Sequence, residues 1–190
     1  HSNQLNATSW TNNFRTTTQV FRDPAAWYHC VWVMDTRNDV QDDRLQLYVN
    51  GKRVTAFGTN YALGQNEQYG IGYPTTHYVG WAGTGTVSAY SWDGNMAEVY
   101  FCSQQALGPE YFGATNEDTN QWQPKEPKDV KEGVTFGMNG FYLPFEGEAL
   151  QTSFIDGALG NNLVTAFTTV GANSWTAPAG VSEIEVLVVG

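Results

Sequence analysis

Leu45-Gln46-Leu47-Tyr48-Val49-Asn50-Gly51 decides the fold class. Leu45, Leu47 and Val49 alternate onto one face, the period of a half-buried strand. Asn50-Gly51 then supplies two residues that accept positive φ, as a two-residue hairpin turn requires. Lys52 to Phe57 is the expected return strand, with Val54 and Ala56 on one face. Upstream, Thr18-Gln19-Val20-Phe21-Arg22-Asp23-Pro24-Ala25-Ala26-Trp27-Tyr28-His29 leads into Cys30-Val31-Trp32-Val33-Met34. Val20 to Met34 is expected as strand, interrupted at Arg22–Ala25, where Pro24 enforces a turn. Both side-chain sets of Tyr28–Met34 are largely apolar, so this strand is expected to be covered on both faces.

Beyond the hairpin the pattern stays β-like. Glu67 to Trp81 predicts a strand pair or bend anchored by Ile71, Tyr78 and Val79. Thr84 to Ser91 is a Gly/Ser/Thr-rich loop, and Asn95 to Cys102 alternates as a strand. Ala106 to Gly113 predicts a single helical turn, and no longer helical period is found. Residues 114–139 are the least regular. Gly140 to Phe145 is a closing strand whose Pro144 points to an edge or a bulge. Residues 147–162 have the character of a linker, and 163–190 of a separate short β unit. The first residue is His1 and the last follows an apolar run, so both ends are expected to be cuts in a longer polypeptide.

Composition narrows the function. The 190 residues hold 19 acidic and nine basic side chains, a formal charge of −10. Nucleic-acid binding needs clustered Lys and Arg, so it is disfavoured, as is an anionic membrane surface. No apolar run reaches the length of a membrane-spanning helix, so no membrane insertion is expected. Cys30 and Cys102 sit in apolar runs; two reduced core thiols are favoured over a disulfide.

Motifs for chemistry are sparse. A β-sandwich glycosidase needs opposed carboxylates roughly 5–10 Å apart. Glu98 has no alternating acidic partner, and Asp93 lies five residues away before Gly94. His29 and His77 have no catalytic partner at a defensible spacing; His29 is expected to be a packed, hydrogen-bonded residue. Asp35, Asp39, Asp42 and Asp43 gather oxygen ligands that suit Ca2+. Arg37 and Arg44 stand among them and oppose a cation, so a solvated hairpin loop is favoured over a metal site. Tyr78, Trp81, Tyr90 and Trp92 flank the glycine-rich loop and are candidates for stacking on sugar rings; packing of the sandwich and its rim is the alternative.

Thr18–Gly51, Asp93-Gly94-Asn95-Met96-Ala97-Glu98-Val99-Tyr100-Phe101, Gln105-Ala106-Leu107, Tyr111-Phe112-Gly113, Trp122-Gln123-Pro124-Lys125 and Asn139–Phe145 occur in a distinctive order. In that order they resemble the concanavalin A-like (laminin G-like) domain of marine bacteriophage and cyanophage tail-fibre and virion appendage proteins. Trp175-Thr176-Ala177-Pro178-Ala179-Gly180-Val181 through Gly190 resembles the start of a phage glycine-rich fibre domain. The resemblance implies an all-β antiparallel sandwich (jelly roll) over 1–146, lacking its first strands. It also implies a virion location, other virion proteins as partners and a homo-oligomer, trimeric in fibres of this kind. The implied activity is attachment to host surface glycans without turnover, with no cofactor; a purely structural spacer or decoration, or a hydrolase of the same fold, are the alternatives. Three departures stand out: the strands that normally open the domain do not precede this match, Cys30 and Cys102 replace usual aliphatics, and the 35–43 loop is unusually acidic.

Overall fold

The computed structural model describes residues 6–8, 14–23, 25–71, 77–80, 92–146 and 156–157. Among these residues ten strands carry most of the regular structure: β1 (Asn6–Thr8), β2 (Phe14–Thr17), β3 (Cys30–Met34), β4 (Leu45–Val49), β5 (Lys52–Arg53), β6 (Phe57–Asn60), β7 (Val99–Phe101), β8 (Gly113–Thr115), β9 (Trp122–Pro124) and β10 (Phe141–Leu143). They pair antiparallel as β1-β2-β6, β3-β4-β5, β7-β10 and β8-β9. Among the described residues one short α-helix, α1, spans Pro127–Gly133.

The hairpin forms where the alternation places it. Asn50 and Gly51 take φ of 48° and 74°, and Val49 pairs with Lys52 across the turn. Residues facing each other across β3 and β4 share a face. Val31 and Val33 lie opposite Tyr48 and Gln46, whereas Trp32 and Met34 lie opposite Leu47 and Leu45. The first face packs Val31 and Val33 against Phe112 and Val130, with Tyr100, Cys102 and Leu107 around them. On the second face, Leu45 joins Leu63 and Tyr69, with Met34 alongside. The sheet is therefore covered on both sides, as the sequence predicts, except that Trp32 remains 39% exposed.

Several expectations are corrected. In the 20–34 segment strand structure begins at Cys30, the described residues before it carry no strand, and Pro24 of the expected turn lies outside the described residues. The return strand ends at Arg53; the chain then crosses to β6, which pairs with β2, leaving Ala56 exposed. Ile71, Tyr78 and Val79 are exposed; Leu63 and Tyr69 are the buried anchors of that region. The strand over 95–102 shrinks to β7, because Glu98 adopts φ of 56°, outside the strand region. The predicted helical turn is a 3-10 turn at Pro109–Tyr111. Residues 114–139 hold β9, part of β8 and the unpredicted α1. Pro127 suits the first turn of α1, where its missing N–H costs nothing, and Lys128 pairs with Glu132 one turn on. Val130, fully buried, anchors the helix to β3. Pro144 falls one residue past β10, whose other side is bonded: Asp156 Oδ1 accepts from Tyr142 N at 2.9 Å and Gly157 N donates to Tyr142 O at 2.7 Å. The Thr84–Ser91 loop and the 163–190 unit lie outside the described residues, as does nearly all of the 147–162 linker.

Cys30 and Cys102 are free thiols, each partly buried, and burial pushes both up to about 11.

Candidate functional site

Trp122 organises the surface beside the hairpin. It stands on β9, paired with Thr115 of β8, and its indole Nε1–H donates to His29 Nδ1 at 3.0 Å. The ring lies against Gly51 and Gly113; a Cβ at either position would fall inside its van der Waals envelope. His29 is tied to the turn as well, because its backbone N donates to Asn50 Oδ1 at 2.9 Å and its carbonyl accepts from Asn50 N at 2.8 Å. Burial lowers the His29 pKa, which keeps the imidazole neutral and able to accept.

An open groove of about 670 Å³ runs along this cluster. Gln19 and Tyr28 line it from the segment before β3, Asn50 to Ala56 from the hairpin and its exit, and Thr115, Asn120 and Trp122 from the β8–β9 hairpin. Tyr28 is braced edge-on by Phe21, with ring centroids 5.0 Å apart. The groove thus sets the Tyr28 ring beside amides and hydroxyls, with the packed Trp122 as part of its wall, and an aromatic face among polar groups suits a polar ring ligand. Sequence reading missed it. Trp122 had been noticed only as part of a resemblance, and Gln19, Lys52 and Asn120 carry no motif.

The predicted aromatic platform is partly described. Tyr78 and Trp92 are 50% and 55% exposed, and Trp92 N donates to Gly80 O at 2.6 Å. Trp92 lines a second groove of about 480 Å³ with Val79, Met96 and Phe145. Tyr78 does not line it, and Trp81 and Tyr90 lie outside the described residues.

The acidic loop is organised by guanidinium groups. Asp35 Oδ1 accepts from the backbone N (3.1 Å) and Nε (3.2 Å) of Arg37. Asp39 Oδ1 accepts from Gln65 Nε2 at 2.8 Å. Asp42 Oδ1 holds Arg15 at 2.9 Å, and Asp43 Oδ1 holds Arg53. Buried Arg44 donates to the carbonyls of Asn38 (2.9 Å), Asp39 (3.2 Å) and Leu63 (3.0 Å). The four carboxylates turn to four different partners, and a built-in cation collects the loop carbonyls. Among the described residues no group of three His, Cys, Asp or Glu side chains is placed to hold a metal ion.

Glu98 is held by two phenols. Tyr100 and Tyr142 donate to its Oε2 at 2.8 and 2.6 Å, and their rings stack 4.5 Å apart. Burial, then the Glu98 contact, raises both tyrosine pKa values. Glu98→Ala is expected to cost about 2–3 kcal/mol, the scale of two hydrogen bonds to a charged acceptor partly offset by relaxation. Glu98→Gln, which keeps an acceptor, should cost clearly less. Urea unfolding of the three proteins is the measurement, and equal midpoints would remove the clamp from the stability of this sheet.

No family model, curated protein or solved structure matches this chain.

Proposed function

We propose that this chain is a β-sandwich module that binds glycans without turning them over, as part of a virion appendage of the tail-fibre kind. One observation carries the reading: the open groove beside Trp122 and Tyr28, with amide and hydroxyl side chains around an aromatic face. Saccharide sites of this type need stacking faces and fixed polar partners more than depth. The two-sided burial of β3 and β4 supports a layered sandwich as the scaffold. The virion setting, the other virion proteins as partners and self-association as a trimer rest on the resemblance described above. The engagement of Glu98 by two phenols favours a structural carboxylate over a catalytic acid.

A glycan array followed by calorimetric titration tests the reading. The intact chain should bind a subset of saccharides. Tyr28→Ala should weaken that binding about ten-fold, the order of one lost aromatic contact, while Trp92→Ala leaves it unchanged. The reverse pattern would move the site to the second groove. No binding to any saccharide would favour the spacer or decoration role, and sugar release that disappears in Glu98→Gln would favour a hydrolase.

A further inference from the structure

We propose that the groove beside Trp122 is selective for acidic sugars, those bearing a carboxylate or sulfate group, and that Lys52 is the residue that selects them. The inference rests on the glycan reading of the groove and names its ligand class. The chain carries 19 Asp and Glu against nine Lys and Arg, so a surface chosen at random is acidic. The groove departs from that composition. Among the described residues, its lining holds Lys52 and Arg53 and no Asp or Glu.

The two cations are not equivalent. Arg53 is already engaged, since its Nη2 donates to Asp43 Oδ1 and, at 3.1 Å, to Asp42 O. Lys52 follows directly on the Asn50-Gly51 turn, is exposed, and has no ion-pair partner among the described residues. Its ammonium is a compact point charge on a long stem and can follow an anionic group along the groove. Gln19 and Asn120 supply neutral donors in the same lining. The chain's overall charge of −10 opposes a polyanion at long range. Screening confines that repulsion to about 8 Å at physiological salt. Selection therefore operates at contact, through Lys52 and a described lining whose adjoining carboxylate, Asp43, is held by Arg53, and not by steering from afar.

The test compares matched oligosaccharides that are neutral, uronate-bearing or sulfated, titrated into the intact chain at low and high ionic strength. Acidic sugars should bind and their neutral counterparts should bind more weakly. Lys52→Gln should lower acidic-sugar affinity about five-fold at low salt, the scale of one partly exposed charge contact, and Lys52→Glu further. High salt should narrow the gap between wild type and Lys52→Gln. The uronate and sulfate arms identify which group is preferred. Equal binding of neutral and acidic sugars, with Lys52→Gln silent, would overturn the selectivity and leave the glycan reading standing. No binding by any sugar would overturn both. Lys52 is exposed on a hairpin strand, so both variants should fold, and unchanged thermal unfolding confirms this.

Discussion

Trp122→Ala is expected to lower the unfolding free energy by about 3 kcal/mol, the lower part of the range for removing a large aromatic, because the ring is only partly buried. Three consequences add up. The ring leaves a gap between Gly51 and Gly113, which no Cβ fills. The indole N–H to His29 Nδ1 bond is lost. The β8–β9 hairpin loses its attachment to the Asn50-Gly51 turn. Trp122→Phe, which keeps a ring without the N–H, should recover a large part of the loss. Guanidinium unfolding followed by far-UV circular dichroism measures both. A Trp122→Ala protein within about 0.5 kcal/mol of wild type, the scatter of ordinary surface substitutions, would show that the two hairpins are held by something else.

The same contact predicts a pH dependence. Burial puts the folded His29 pKa below the usual 6.5. As pH falls, the unfolded chain takes up this proton first, so it binds more protons than the folded chain. The contribution of His29 is therefore present above 6.5 and is lost as pH falls through the depressed folded value. Protonation also removes the acceptor at Nδ1. His29→Gln should flatten the stability profile on the acid side; an unchanged slope would assign that dependence to the carboxylates instead.

Arg15→Ala should cost about 3 kcal/mol, because it leaves the Leu45 and Asp42 carbonyls without their donor and empties the space of a buried side chain. Arg15 is 3% exposed on β2. Its Nη1 donates to Leu45 O and, at 3.1 Å, to Asp42 O; its Nη2 holds Asp42 Oδ1; and its guanidinium lies 5.1 Å from the centroid of the Phe57 ring. One side chain thus ties β2 to the start of β4 and to the 3-10 turn over Gln41–Asp43. Arg15→Lys keeps the charge but not the fork, and should retain less than half of the lost stability. Asp42→Asn should cost far less, since that carboxylate is 70% exposed. Comparable losses for Asp42→Asn and Arg15→Ala would make the ion pair, and not the carbonyl contacts, the stabilising element.

The acidic loop shows what local spacing leaves out. A local run of Asp and Asn is what a hard cation requires. The cations that answer it, Arg15 and Arg53, come from separate strands, and no local spacing announces that they converge with Arg44 on residues 38–45. The strand over 95–102 is cut short by a contact from far along the chain. Its alternation is sound, but Glu98 turns to positive φ, where its carboxylate meets Tyr142 from β10, 44 positions away. Helix α1 was missed because seven residues are too few for a 3.6 period to declare itself; Pro127 and the Lys128–Glu132 pair were its available signals.

Local sequence determined the Asn50-Gly51 hairpin, the buried faces of β3 and β4, the 3-10 turn after Gly108 and the β-rich, antiparallel class. Each follows from alternation or from a residue whose backbone preference acts within a few positions. Tertiary structure alone decided which cations meet the acidic loop, where Trp122 lies and that a groove with no Asp or Glu among its described lining residues opens beside Lys52. These depend on side chains brought together from distant strands, and the free energy that unites them is set by packing and desolvation, which have no period along the chain.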